Sequence, residues 1–244
     1  MSDWISIKQG LKLPRYDSPP YLEGDWAVAS DLHIPNISPL WVSRLVSKAK
    51  EHGVDQLLLA GDIYNFDSVS SYINDSRVLL DDELDVGDAL LEELHGHFRN
   101  MQAFMTNHEL RLWRKVEGAV TRSRLGKWIF PDFVKFGIHA YAELEHNIRV
   151  THPRNYSQIP GRIATRLADR YQANVISAHG HLCGGPYPSH SGAFWGIDSG
   201  GLFDEKELAY RMLYDSTFPA WQNGFVIIDG GYPYVYSVFN KWEE

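Results

Sequence analysis

The segment Asp55-Gln-Leu-Leu-Leu-Ala-Gly-Asp62 decides the fold, because an almost continuous apolar run ends directly in a glycine and a carboxylate. Such a run is typical of a strand that is buried on both faces, as in a sheet with helices on either side. A second short apolar run, Trp26-Ala-Val-Ala-Ser30, comes earlier in the chain. Between the two runs, residues 39–52 have the pattern of an amphipathic helix, with Ser38 as its N-cap and Gly53 at its end. These segments predict a strand–helix–strand unit.

The remainder of the chain repeats this alternation of apolar strands and amphipathic helices. Further helices are predicted at residues 81–98, 110–128 and 161–172, and further strands at 101–105, 140–144, 148–151, 174–178 and 224–228. Helices that alternate with buried strands are typical of an α/β layered sandwich. We therefore expect one domain over residues 1–244, with its core at about 24–240 and residues 14–20 as an extended lead-in.

The composition is that of a globular protein with a packed core, with 44% hydrophobic and 22% charged residues. No apolar run approaches the roughly 20 residues of a membrane-spanning helix, and residues 1–10 lack the apolar stretch of a secretory signal. The single cysteine, Cys183, excludes an internal disulfide framework, and we interpret it as a small loop residue. We expect a cytoplasmic protein without membrane contact.

The formal net charge of -8 argues against a protein that binds nucleic acid through its overall electrostatic field. Residues 111–127 form a local basic stretch, which we interpret as a solvated helix face. Nucleic acid is therefore a compatible but disfavoured partner, and the sequence does not indicate an oligomeric state.

Polar motifs stand at the ends of five predicted strands. They are Asp31-Leu-His33, Gly61-Asp62, Asn107-His-Glu109, His152 and His179-Gly-His181. Residues two apart in extended backbone point to the same side of a strand, so the side chains of Asp31 and His33 can both reach one ion. Open α/β sheets bring the ends of their strands to a common crevice. The motif side chains are therefore expected to converge.

The converging side chains offer imidazole, carboxylate and amide ligands, which suit Mn, Fe, Zn, Ni or Mg rather than a soft metal. The candidate ligands are Asp31, His33, Asp62, Asn107, His152, His179 and His181. These seven side chains exceed what one tetrahedral ion needs, so we predict two divalent cations, with Mn favoured. One aspartate must then bridge the cations, and Asp62 is the natural candidate because Gly61 allows a close approach of the backbone.

In this order, the five motifs resemble those of the calcineurin-like metallophosphoesterase family, and they extend from Asp31 to His181. The resemblance is to the small phosphodiesterase-like members of the family, including phage-borne ones. It implies a four-layer α-β-β-α sandwich with the site at one edge. It also implies hydrolysis of phosphate esters with two metal ions, with phosphodiesters favoured over monoesters, and a small phosphorylated substrate such as a nucleotide.

The resemblance also implies a role for each motif residue. The first metal would take Asp31, His33, Asp62 and His181, and the second would take Asp62, Asn107, His152 and His179. His108 would not bind metal; it would protonate the departing oxygen as a general acid, which suits an imidazole pKa of about 6.5.

Departures from the family pattern bear on the substrate. Thr106 replaces the usual glycine before Asn-His. Asn65 and Phe66 stand where serine/threonine protein phosphatases have an aspartate that orients the acid histidine and an arginine that holds phosphate. We therefore do not expect a phosphoprotein phosphatase. The candidates for phosphate contact are Arg111 and Arg154 foremost, and then Arg114 and Lys115.

The chain also contains a second His-x-His sequence, His95-Gly-His97. It ends a helical stretch, where residues two apart do not face each other, and we interpret both residues as ordinary surface or core histidines. Two other functions stay open, namely an Mre11-like nuclease and a binding module that keeps the fold without catalysis. The intact motifs favour an enzyme.

Overall fold

A computed structural model of the chain describes residues 3–11, 19–71, 78–116, 119–137, 139–208 and 220–242. Its strands are β1 (Tyr21–Leu22), β2 (Trp26–Ala29), β3 (Gln56–Leu59), β4 (Asn100–Phe104), β5 (Val134–Gly137), β6 (Tyr141–Leu144), β7 (Ile148–Thr151), β8 (Asn174–Ser177), β9 (Cys183–Pro188), β10 (Trp195–Ser199), β11 (Gly224–Asp229) and β12 (Tyr232–Ser237). Its helices are α1 (Asp3–Gly10), α2 (Pro39–Glu51), α3 (Leu80–His95), α4 (Glu109–Lys115), α5 (Arg122–Ile129) and α6 (Arg162–Tyr171), and a 3-10 turn covers Asp67–Val69.

The strands form two six-stranded sheets of mixed direction. In the first sheet the order is β12-β11-β2-β3-β4-β5, and the last four of these strands run parallel. In the second sheet the order is β1-β6-β7-β8-β10-β9, and β7, β8 and β10 run parallel. Because parallel neighbours end at the same edge of a sheet, the loops after β2, β3 and β4 leave the first sheet together, and those after β7 and β8 leave the second sheet together.

Apolar side chains fill three interfaces and thereby define four layers. On one face of the first sheet, Leu57 and Leu59 pack in a core with α2 and α3. On the other face, Leu58 lies in the cluster that joins the two sheets. Helix α6 covers the outer face of the second sheet through Ala164 and Ala168. This α-β-β-α arrangement confirms the predicted sandwich, and β3 is buried on both faces, as its apolar run predicted.

The predicted continuous helix at residues 110–128 is wrong, because two helices occupy this region. Helix α4 ends at Lys115, and α5 begins at Arg122. Thr121 has an extended backbone, and its side-chain oxygen accepts a hydrogen bond from the Arg124 N–H, which is the geometry of an N-cap. A capped helix start cannot lie inside an uninterrupted helix.

Cys183 lies in a strand and not in a loop, contrary to the prediction. It is the first residue of β9, and its buried thiol donates to the Tyr236 carbonyl oxygen 3.5 Å away. The predicted lead-in at residues 14–20 lies outside the described residues, except for residues 19 and 20. In the parts of the chain that the structure describes, none of the helices combines the length and the apolar character of a membrane span.

Candidate metal centre

The motif residues follow the carboxyl ends of five strands and come together in space. Asp31 and His33 follow β2, Asp62 follows β3, Asn107 and His108 follow β4, His152 follows β7, and His179 and His181 follow β8. One ligand atom each from Asp31, Asp62, His152 and His179 lies within 4.8 Å of the others, and the same holds for Asp31, His33 and His181. The two groups share Asp31 and are therefore adjacent.

Most of these residues adopt the left-handed backbone conformation, which is unfavourable for side chains with a Cβ atom. The residues concerned, with φ in parentheses, are Asp31 (52°), His33 (51°), Asp62 (48°), His179 (74°) and His181 (53°). The prediction of extended backbone at Asp31-Leu-His33 is therefore wrong. The residues of each motif are brought together by strained turns, and strain of this kind accumulates where a functional arrangement over-determines the backbone.

The first ligand group consists of Asp31, His33 and His181. The Asp31 Oδ1 atom lies 3.1 Å from His181 Nε2 and 3.9 Å from His33 Nε2. The two Nε2 atoms lie 3.0 Å apart, and the imidazole rings of both histidines are buried. Although burial favours the protonated acid, contact with His181 lowers the pKa of Asp31. A carboxylate and two imidazole nitrogens thus face a common point.

The second ligand group surrounds the Asp62 Oδ2 atom. The Asn107 side-chain amide donates to this oxygen at 3.2 Å. His152 Nε2 lies 3.3 Å from it, and His179 Nδ1 lies 3.8 Å from it. Asp62 and His152 are buried, whereas His179 is partly exposed. Asn107 is partly exposed as well, so the group is accessible to solvent at these two residues.

The His152 ring shows why these residues fit a metal ion. Its Nδ1 atom lies 2.8 Å from the Ala60 carbonyl oxygen, which can only accept, so Nδ1 carries a hydrogen and Nε2 is the ring atom left to bind a proton or a cation. The buried Nε2 atom faces the Asp62 carboxylate, with Oδ2 3.3 Å away. A deprotonated Nε2 and this carboxylate oxygen would repel each other, so either a proton or a metal cation must lie between them. Although burial opposes a charged ring, Asp62 raises the pKa of His152 to about 9, and a metal ion would replace the proton bound there.

His108 lies beside the second group and is held by its neighbours. Its Nδ1 donates to the Asn65 carbonyl oxygen at 2.8 Å, and its Nε2 lies 3.7 Å from Asp62 Oδ2. Arg111 Nη2, which can only donate, lies 3.0 Å from His108 Nε2. Burial, together with the Arg111 guanidinium, lowers the pKa of His108 to about 4. In this arrangement the imidazole is neutral and its Nε2 accepts a hydrogen bond.

The candidates for phosphate contact differ in burial and in their contacts. Arg111 is mostly buried, and its Nη1 donates to the Asn65 carbonyl oxygen at 2.7 Å and to Asp67 Oδ1 at 2.9 Å. Arg154 is exposed on the loop after His152, and Arg114 and Lys115 are exposed at the end of α4.

His95 stacks on Phe133 with ring centroids 4.3 Å apart, in agreement with its interpretation as an ordinary histidine.

Glu109 and Thr106 form a support behind Asp62 that the sequence did not reveal. The buried Glu109 carboxylate accepts from the backbone N–H groups of Ile63, Tyr64 and Thr106 at 2.8, 3.2 and 2.9 Å. The Thr106 hydroxyl lies 2.6 Å from Asp62 Oδ1. The one sequence signal of this support was the replacement of the usual glycine by Thr106.

Phe66, at the position where a protein phosphatase has its arginine, belongs to the core. Its ring is fully buried and stacks on Tyr64 with centroids 5.0 Å apart. Its backbone has a left-handed φ of 51°, and its N–H donates to Glu83 Oε1 in a short hydrogen bond. Glu83 is a carboxyl group of α3 that is also buried. The side chain at this position therefore belongs to the apolar core.

We expect the buried Glu83 to make a contribution to the free energy of unfolding that is lost as the pH rises from about 5 to 8. Burial raises the pKa of Glu83 to about 8. Between the ordinary carboxyl pKa and this value, the native state holds a proton that the unfolded state has released, so a higher pH favours unfolding. Glu83→Gln keeps an oxygen acceptor for Phe66 and cannot ionise. At pH 8.5 we expect it to unfold at a Tm higher than that of the wild type by about 2–4 °C for each kcal/mol gained.

Thermal unfolding of metal-free protein at pH 5 and 8.5 measures this effect, and at pH 5 the two proteins should differ little. Glu92→Gln, at an exposed position of the same helix, is the matched control and should leave the pH dependence unchanged. An equal loss of stability in Glu83→Gln and wild type would contradict the prediction.

No family model matches the chain, and no curated protein matches it. Solved structures show a distant likeness. They include an archaeal phosphodiesterase (12% identity, covering 88% of this chain and 100% of that chain, TM-score 0.48), the phosphoesterase YfcE from E. coli (14% identity, 85% and 89%, TM-score 0.42) and the nuclease MPE of Pseudomonas putida (13% identity, 86% and 87%, TM-score 0.38). The architecture of this chain follows from its own two sheets and three apolar interfaces.

Proposed function

We propose that this chain is a calcineurin-like metallophosphoesterase that hydrolyses phosphate esters with two divalent cations, and that it prefers phosphodiesters. The observation that carries the proposal is the adjacency of two ligand groups that share Asp31. One cation would bind Asp31, His33, Asp62 and His181, and the other would bind Asp62, Asn107, His152 and His179. The Nε2 atom of His152, which faces the Asp62 carboxylate, supports the second of these assignments.

When bound, the cations would neutralise phosphate charge and lower the pKa of a coordinated water towards neutrality. The protein itself supplies the groups around that centre. His108 is proposed to protonate the departing oxygen, since its Nε2 lies beside Asp62. For this step a proton must reach His108 Nε2. The Arg111 N–H must then turn away, because a protonated Nε2 and Arg111 Nη2 are both donors and cannot hydrogen-bond to each other. Arg111 and Arg154 are proposed to contact the phosphate, and Asp67 holds Arg111 close to the centre.

The proposed substrate is a small phosphorylated molecule such as a nucleotide. A phosphoprotein is disfavoured because Phe66 is buried in the core where a phosphatase needs its arginine. Long nucleic acid is disfavoured by the formal net charge of -8. Manganese is the proposed metal within a donor set that also accepts Ni, Fe, Zn or Mg.

The proposal is tested by hydrolysis of bis-p-nitrophenyl phosphate and p-nitrophenyl phosphate. Protein stripped with a chelator is assayed alone and after addition of Mn²⁺, Ni²⁺, Zn²⁺ or Mg²⁺, and bound metal is counted. We expect no turnover without metal, turnover of the diester above that of the monoester, and two metal ions per chain. Bound metal without turnover of either ester would favour a binding module, and degradation of single-stranded DNA would favour a nuclease.

A further inference from the structure

Thr106 lies between two buried carboxylates, one of which is a proposed metal ligand. Its hydroxyl oxygen lies 2.6 Å from Asp62 Oδ1 and 3.0 Å from Glu109 Oε2. The same oxygen accepts the Asp62 backbone N–H at 2.8 Å. Relative exposures are 3% for Thr106, 1% for Asp62 and 0% for Glu109, so water does not compete for these contacts.

The single hydroxyl proton of Thr106 can go to only one of the two carboxylates. Glu109 is already satisfied by backbone N–H groups, with Ile63 and Tyr64 on Oε1 and Thr106 on Oε2. The contact with Asp62 Oδ1 is also the shorter one. The proton therefore goes to Asp62, and Glu109 fixes the Thr106 backbone from behind.

The two oxygen atoms of Asp62 consequently have different surroundings. Oδ1 accepts from the Thr106 hydroxyl and, at 3.2 Å, from the His108 backbone N–H. Oδ2 faces Asn107 and His152, both of which are proposed ligands of the second cation. The carboxylate is thus turned so that one oxygen is bound by the protein and the other faces the centre.

We infer that Thr106 is a positioning residue for the metal centre, which acts by holding Oδ1 of Asp62 and leaving Oδ2 for the cations. The inference rests on the proposed function, since it takes Asp62 as a metal ligand. Partners that orient a ligand from behind typically change metal affinity 10–100-fold when they are removed.

The space around Thr106 supports the same conclusion. A Cβ atom added at Gly61 would collide with the Thr106 side chain, and it would lie 2.8 Å from His152 Nδ1. Gly61 also has a φ of 99°, which a residue with a Cβ atom rarely adopts. The Thr106 side chain therefore occupies the room that the glycine leaves free, against the backbone of Asp62.

The test is the affinity of the stripped, full-length chain for Mn²⁺, measured by calorimetric titration. Thr106→Val keeps the shape and removes the hydroxyl, and we expect it to bind Mn²⁺ about 10–100-fold more weakly than wild type. Thr106→Ser keeps the hydroxyl, and its affinity should stay within about threefold of wild type. Thr165→Val is the matched control, because the Thr165 hydroxyl donates to the carbonyl oxygen of Gly161, the N-cap residue of α6, and this helix contributes no proposed ligand.

The outcomes separate this inference from the proposed function. Wild-type Mn²⁺ affinity in Thr106→Val would overturn the role of Thr106 while leaving the metal centre intact. Equal weakening in Thr106→Val and Thr106→Ser would also overturn it, since packing and not the hydroxyl would then matter. In a further outcome, wild type binds Mn²⁺, Thr106→Val loses this binding, and neither wild type nor the variants hydrolyse an ester. That result would support the inference and contradict the proposed reaction. Absence of Mn²⁺ binding by wild type would overturn both.

Discussion

Asp62→Asn is expected to lower the metal-dependent hydrolysis of bis-p-nitrophenyl phosphate by about 10³-fold or more, the equivalent of several kcal/mol of lost charge stabilisation. Asparagine matches the shape of aspartate and keeps an oxygen for the Thr106 hydroxyl and the His108 N–H. It removes the negative charge that Oδ2 presents to His152 and His179. As the proposed bridge, Asp62 serves both cations, so its loss should weaken both sites.

The measurement is kcat/KM for the diester together with the number of Mn²⁺ ions bound per chain. The control is Asp55→Asn, which removes a carboxylate from an exposed ion pair with Arg99 and should leave both quantities unchanged. If Asp62→Asn bound two ions with wild-type affinity and retained most of its turnover, Asp62 would not be the bridge. Asp31, which belongs to both ligand groups, would then be the alternative.

His108→Ala is expected to have the second largest effect, and this effect should depend on the leaving group. Proton transfer by a positioned imidazole typically contributes about 10²–10⁴-fold. A p-nitrophenolate ion departs readily without a proton, whereas an alkoxide does not. The variant should therefore lose about 10²-fold or more on an alkyl phosphodiester and much less on bis-p-nitrophenyl phosphate.

The comparison of the two diesters also distinguishes proton donation by His108 from a structural role of this residue in the metal centre. His108 contacts Asp62 through its backbone N–H and holds Arg111 through Nε2, so its removal could disturb the centre as a whole. Equal losses on both esters, with weaker Mn²⁺ binding, would assign His108 a structural role and contradict the general-acid proposal. His190→Ala, at an exposed position on the loop after β9, is the control and should behave as wild type on both.

The layered fold could be predicted from the sequence because it depends on local patterns. Leu57 and Leu59 of β3 lie in one core, and Leu58 lies in another. Because both faces of this strand are buried, its sequence is an uninterrupted apolar run. The parallel order of β2, β3 and β4 then places their following loops at one edge. The convergence of the motif residues follows from this topology and needs no detail of the loops.

The detail of the loops could not be predicted, because it depends on contacts between distant parts of the chain. The hydrogen bond from Thr106 to Asp62 joins residues 44 positions apart, and the one between His152 and Ala60 joins residues 92 apart. Neither contact leaves a periodic signal in the sequence. The break between α4 and α5 is hard to predict, because the basic residues on both sides suit a helix and the cap at Thr121 is a single-residue signal.

The left-handed backbone at five proposed ligand positions lowers the stability of the fold, whereas the side chains at these positions are the ones that the proposed activity requires. At such φ values glycine, and to a lesser degree asparagine, relieves strain that aspartate and histidine must bear. Laboratory selection for heat resistance alone would therefore enrich glycine and asparagine at Asp31, His33, Asp62, His179 and His181. Chains obtained in this way would gain robustness and lose their chemistry, so persistence of these five identities in a natural lineage would be a record of selection for turnover.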